Sequence, residues 1–172
     1  ASIFSNGWSL LKLYFMIGLP EERDEDVVAI AELARRCLAE ARRVLPKGQG
    51  SAAIHLGAST FVPKPFTPFQ WEPTLRPEET RRRQGLITAA LGGRNGAISF
   101  KPHDSRQSSI EAALALGDRR VGTAVLAAYR AGQRLDGWTE WFEERRWIDA
   151  FAACEREHGV GLDWFATVAA AL

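Results

Sequence analysis

The sequence predicts an α/β fold: strand–helix–strand–helix–strand, followed by a helical extension. Three observations carry this. Leu11 to Ile17 is a short, apolar, aromatic-rich run ended by Gly18-Leu-Pro20, the pattern of a buried strand. Asp24 to Leu45 repeats apolar residues (Val27, Ile30, Ala34, Cys37, Leu38, Ala41, Leu45) at close to the helical period. From Ser105 onward the chain reads helical, broken at Gly117-Asp118, Gly132, Asp136-Gly137 and Gly159-Val-Gly161.

The elements between follow in order. Asp24, Glu25 and Asp26 open the first long helix and Arg42 and Arg43 close it, matching the helix dipole. Pro46 to Gly50 is a terminating loop. Ala52 to Val62 reads as the second strand. Pro63 to Pro77 carries five prolines and is read as a long loop. Glu78 to Leu91 is helical, Gly92 to Gly96 is a turn, and Ala97 to Lys101 is a third, short strand. Alternating strands and helices imply parallel strands and right-handed crossovers. A parallel sheet wants cover on both faces. Three strands alone lack it, so a preceding portion of chain or the terminal helices are expected to supply it.

Bulk properties narrow the function. The 172 residues suffice for one domain with a core and a small appendage. A net charge of +1 gives no field for nucleic acid or an anionic membrane. The longest apolar block, Leu13 to Leu19, is strand-sized and far short of a bilayer span. The chain begins at Ala1, and its only methionine is Met16. An excised piece of a longer protein is therefore expected. Cys37 and Cys154 lie far apart with no ligand-spaced partner, so neither a disulfide framework nor a metal site is expected. A reducing, cytoplasmic setting fits that usage.

In parallel α/β proteins, ligands bind beyond the C-terminal ends of the strands. Two loops lie there, Gly18 to Glu22 and Pro63 to Pro77, and the second exceeds the usual 2–6 residues. Strand alternation then sorts the side chains. Lys12, Tyr14 and Met16 share one face of the first strand, while Leu11, Leu13, Phe15 and Ile17 share an apolar one. In a barrel the apolar face meets the helices and the other points inward. By the same logic His55 and Ser59 of the second strand point inward. Lys12, Tyr14, His55 and Ser59, with Lys64 and Gln70 on the long loop, are candidate substrate contacts. The plainer reading makes Lys12 and His55 structural.

Other features have ordinary readings. Asp104 of His103-Asp104 suits an N-cap better than acid–base work. Arg119 and Arg120 suit a helix start, and Arg81, Arg82 and Arg83 a solvated helix face. Trp138, Trp141 and Trp147 with Phe142 have the spacing of a buried helix face rather than a nucleic-acid stacking platform.

Lys12-Leu-Tyr-Phe-Met-Ile-Gly-Leu-Pro20, Ser59-Thr-Phe-Val-Pro-Lys-Pro65 and Thr67-Pro-Phe-Gln-Trp71 together resemble a late barrel strand and its following segments in radical S-adenosylmethionine enzymes. The combination is similar to the subfamily in which a cobalamin-binding domain precedes the radical domain. Gly117-Asp-Arg-Arg120 and Leu135-Asp-Gly-Trp138, with Glu140, resemble that subfamily's C-terminal extension. The resemblance covers nearly the whole chain. Glu21-Glu-Arg departs from it, since many relatives have Thr-Glu or Glu-Thr after the proline.

The resemblance implies the C-terminal strands and helices of a partial (β/α) TIM-like barrel over residues 1–104, then a helical extension over 105–172. It implies a [4Fe–4S] cluster held by a Cys-x3-Cys-x2-Cys motif, reductive cleavage of S-adenosylmethionine, and radical chemistry on an unidentified substrate. Those three cysteines are not in this sequence, so this chain is expected to hold no catalytic residue and to be inactive alone. Its implied partner is the missing N-terminal part of the same polypeptide, with cobalamin upstream. Ile17 and Gly18, and Phe61, Val62 and Pro63, are implied to lie near the adenine of S-adenosylmethionine. Two alternatives stand: a methylthiotransferase-like enzyme acting on RNA or protein, and a non-catalytic module docking through Pro63 to Trp71.

Overall fold

A computed structural model describes residues 1–48, 50–92 and 96–163. Its elements are α1 (Ser2–Ser5), β1 (Leu10–Ile17), α2 (Asp24–Val44), β2 (Ala53–Thr60), α3 (Pro77–Leu91), β3 (Ile98–Pro102), α4 (Ser105–Leu116), a 3₁₀ turn (Arg119–Val121), α5 (Gly122–Arg130) and α6 (Glu144–His158). The fold is mixed α/β, with a small parallel sheet and helices. The expected helix beyond Gly161 falls on 164–172, outside the described residues. The Gly92 to Gly96 turn is described only at its two ends. The short α1 carries no periodic signal and was not expected from the sequence.

The chain divides into two units. The first holds residues 1–59 and 79–103; the second holds 60–78 and 104–172.

In the first unit the strand order is β1–β2–β3. β2 and β3 are parallel, with Ile54 beside Ile98 and Leu56 beside Phe100. The Ala53 N–H donates to the Ser9 carbonyl, and the Ser59 hydroxyl donates to the Phe15 carbonyl. Both bonds span the same sequence offset, so β1 runs parallel to β2 as well. One face of the sheet is apolar. Ile17, Ile54, Leu56, Ala58 and Ile98 are buried there against Val27, Ile30, Ala34, Leu38 and Ala41 of α2 and Ile87 of α3. α2 is held at its start by the Asp26 carboxylate, which accepts from the Arg23 N–H at 2.9 Å. α3 opens on Pro77, whose missing N–H is no loss in the first turn.

In the second unit α5 packs on α6. Ala124 and Ala128 are buried and small, which permits close approach. Trp147, Ala150, Phe151 and Cys154 recur at helical spacing on α6 and face the same core as Ile110, Ala113 and Val121. Gly117 is required where α4 ends, since a Cβ there would lie 2.5 Å from both the Ala113 carbonyl and the Val121 side chain. Gly159 ends α6 with φ 70°, a left-handed C-cap. Asp104 caps α4, its carboxylate accepting from the Arg106 N–H at 2.9 Å.

Two sequence expectations are corrected here. Trp138 and Trp141 are each 60% exposed and lie in turns before α6, whereas Trp147 is buried at 4%. A buried helix face therefore describes only Trp147. The preceding turn is built on hydrogen bonds instead. The buried Gln133 amide donates to the Asp136 carboxylate and to the Trp141 carbonyl, and Gln107 donates to the Asp136 carbonyl at 2.8 Å. Side-chain bonds to backbone favour a turn over helix here. The second correction concerns Arg82 and Arg83, which are anchored in a salt-bridge network described below rather than on a merely solvated face.

Candidate functional site

The second face of the sheet is open. Along β1 burial alternates, leaving Lys12, Tyr14 and Met16 exposed. Along β2 it leaves His55 and Ser59 exposed, and along β3 Ser99 and Lys101. His103 follows immediately and is exposed too. The register puts these side chains in rows across the strands. His55 stands beside Ser99, and Gly57 beside Lys101. On the other side Tyr14 lies over Gly57, where an added Cβ would come within 3.1 Å of the ring. Glycine at that position is what lets the aromatic ring lie against the sheet.

A hollow of about 500 Å³ forms on this face, lined by Lys12, Tyr14, His55, Ser99, Lys101 and His103 among others. None of its described lining residues carries a carboxylate. Of the sequence-predicted residues, the structure thus brings Lys12, Tyr14 and His55 together. Ser59 lies on the same face, outside the hollow, with its hydroxyl spent on the Phe15 carbonyl. Ser99 and Lys101 belong to the hollow and were missed, and His103, weighed in the sequence only together with Asp104, belongs to it too. The signal was present in the alternation of β3, which places Ser99 and Lys101 on one face.

The turn after β1 is tied down by charge. Ile17 is fully buried, and Gly18 adopts φ 90°, which glycine accepts without strain. The Gly18 N–H donates to Glu22 Oε2 at 2.7 Å. The same carboxylate pairs with the Arg83 guanidinium. Arg83 Nε also meets Glu79 at 3.0 Å, Arg82 meets Glu79 at 2.7 Å, and Arg82 grips both oxygens of Asp24. Glu22, Arg83, Glu79, Arg82 and Asp24 form one chain linking the turn to α2 and α3. The Arg82 hydrogen bond holds the Glu79 carboxyl down at about 2 and also lowers Asp24. Burial opposes the charge on Arg83, but hydrogen bonds to Glu79 and Glu22 outweigh it and hold the group protonated. The network needs partners about 60 residues apart in sequence, which no local pattern in Arg81 to Arg83 discloses.

The long loop lies in the second unit. Phe61, Val62 and Pro63 are buried, with Phe61 meeting Phe69 edge-on at 6.0 Å. Lys64 pairs with Glu111 at 2.6 Å. The Thr67 hydroxyl donates to the Lys64 carbonyl at 2.7 Å, and Gln70 Oε1 accepts from the Phe66 N–H at 3.2 Å. Lys64 and Gln70 therefore brace the loop. The result is Phe66 held at φ 64° and 97% exposed. A left-handed aromatic residue is costly and persists only where surroundings impose it.

Cys37 lies in α2 and Cys154 in α6, both free and in different units. Among the described residues no three His, Cys, Asp or Glu side chains gather as a metal site. They do not fit an iron–sulfur cluster. Burial raises the Cys154 thiol further from the thiolate a ligand needs. Ile17, Phe61, Val62 and Pro63 are buried, and the Gly18 amide is occupied by Glu22. No helix among the described residues is long and apolar enough to cross a membrane.

No family model matches the chain, and no solved structure matches it. An uncharacterised protein of the archaeon Methanocaldococcus jannaschii is 24% identical to it over 148 residues, covering 81% of this chain. The chain spans only 30% of that relative's length.

Proposed function

We propose that this chain is the C-terminal part of a radical S-adenosylmethionine enzyme of the subfamily with an upstream cobalamin-binding domain. In this reading β1, β2 and β3 are the last strands of a partial (β/α) TIM-like barrel, and the open face of the sheet lines its interior. One observation carries the reading: a parallel sheet covered by helices on one face and polar, aromatic and bare on the other. The chain's similarity to less than a third of a longer archaeal protein agrees with a further portion of polypeptide as its partner.

The chain's own residues then have defined tasks. Lys12, Tyr14 and His55 face substrate from the sheet. Ile17 and Gly18 at the end of β1 are assigned to the adenine side of the cofactor through their backbone, the Ile17 side chain being fully buried in the core, and the Phe61, Val62 and Pro63 segment is assigned to that side on the resemblance alone. The Glu22–Arg83 pair fixes the turn that presents Gly18. A cluster would have to be held by an upstream Cys-x3-Cys-x2-Cys motif, where it would supply the reductive chemistry, and no residue of this chain is assigned to it.

The test uses the full-length polypeptide, anaerobically reconstituted and assayed for release of 5′-deoxyadenosine. Release dependent on reductant and on an upstream Cys-x3-Cys-x2-Cys motif supports the reading. A parent sequence without that motif ends it.

A second reading, a docking module, is favoured by Phe66, which is fully displayed beside the exposed Phe69 and Trp71. It predicts that the full-length protein releases no 5′-deoxyadenosine and that Phe66→Ala abolishes partner capture.

A further inference from the structure

The hollow on the open face has a chemistry that the proposed reading leaves unspecified. We infer that it is an oxyanion site, built to hold a phosphoryl or carboxylate group of the substrate.

The inference starts from the distribution of charge. Within the first unit, the described ion pairs lie on the helix side and at the turn after β1: Arg43 meets Glu40, Arg82 meets Asp24, and Arg83 meets Glu22. The open face has a different composition. Two lysines and two imidazoles, Lys12, Lys101, His55 and His103, line one hollow with no carboxylate among its described lining residues. They come from all three strands and the residue after β3. A surface meant only for water mixes its signs. The two lysine ammonium groups repel, and an anion between them relieves that repulsion.

The shape agrees. Lys101 sits beside Gly57 in the middle of the sheet. The Tyr14 ring fills the space above Gly57 and walls the hollow beside Lys101. The Ser99 hydroxyl beside His55 adds a neutral donor. Ammonium groups act as point charges on flexible stems, which suits oxyanions of either geometry. Phosphate and carboxylate share this chemistry, and the experiment separates them.

The inference rests on the proposed reading only in calling the ligand a substrate. Binding itself is measurable on this chain. Sodium phosphate and sodium acetate are titrated separately at constant ionic strength set with sodium chloride. The imidazole NMR signals are followed, with His158 of the second unit as internal reference. The expected result is saturable shifts at His55 and His103, with His158 still, for at least one anion. Saturation by phosphate alone assigns a phosphoryl group; by acetate alone, a carboxylate. Lys12→Gln with Lys101→Gln is expected to weaken binding at least tenfold, with an unchanged urea midpoint because both side chains are exposed. Lys12→Arg with Lys101→Arg is expected to retain it. Shifts that fail to saturate for both anions, or that survive the double glutamine variant, overturn the site. Absence of deoxyadenosine release from the full-length protein would remove the radical reading and leave this site intact. Absence of anion binding would leave the radical reading standing with an uncharged substrate.

Discussion

The two faces of the sheet are made by neighbouring residues of the same strands, yet they do opposite work. Ile54 and Leu56 are at 0% and 2% exposure; His55 between them is exposed. On the helix side, burial supplies the free energy of folding. On the open side, Tyr14 stands 79% exposed and can supply little. The difference teaches where selection for stability stops. A parallel sheet ordinarily hides both faces, so a bare face with organised side chains is kept for something that is not this chain's own core.

The largest effect expected from this contrast is Ile54→Ala. The side chain is fully buried against α2 and α3 residues, and its loss should cost about 2–5 kcal/mol in urea unfolding. A loss below 0.5 kcal/mol would mean the covered face is not a core. Next is Arg83→Met. It leaves the Glu22 carboxylate, only 9% exposed, without its cation. A cost of about 2 kcal/mol is expected, together with faster amide exchange at Gly18. Unchanged exchange would detach the turn from the network.

Smaller still is a pH effect. Glu79 is held at about 2 in the folded chain against 4.5 for the free group. A depressed carboxyl stabilises above its unfolded value, and that stability disappears as pH falls from 4.5 toward 2. The group is 35% exposed, so solvent screening limits the loss to on the order of 1 kcal/mol. Glu79→Gln should flatten this limb of the stability curve, and an unaltered slope would assign it to other carboxyls. The smallest effect is on the open face. Lys12→Gln and His55→Gln should each change stability by less than about 0.5 kcal/mol. A larger loss from either would make it structural, the plain reading of its sequence position.

Much of this contrast was legible in the sequence. Alternation in Leu11 to Ile17 and Ile54 to Thr60 assigned Lys12, Tyr14, His55 and Ser59 to one face before any coordinates. The period of Val27 to Ala41 gave α2, because a single apolar stripe admits one solution. Contacts between distant residues were not legible. Arg82 and Arg83 read as solvated because their partners, Asp24 and Glu22, lie on another element. Trp138 and Trp141 have helical spacing, but Gln133 and Gln107 draw that segment into a turn through bonds to Asp136 and Trp141. The left-handed backbone of Phe66 also escaped, since nothing but Gln70 at four residues' distance announces it.

The central claim is that the open face becomes the interior of a barrel completed by the rest of the polypeptide. Lysine acetylation followed by mass spectrometry tests it directly, comparing this chain with the full-length protein. Lys47, exposed on a loop, is the control. Lys12 and Lys101 should react as readily as Lys47 in this chain and become at least tenfold slower in the full-length protein, while Lys47 is unchanged. Equal reactivity of Lys12 and Lys101 in both would contradict the account.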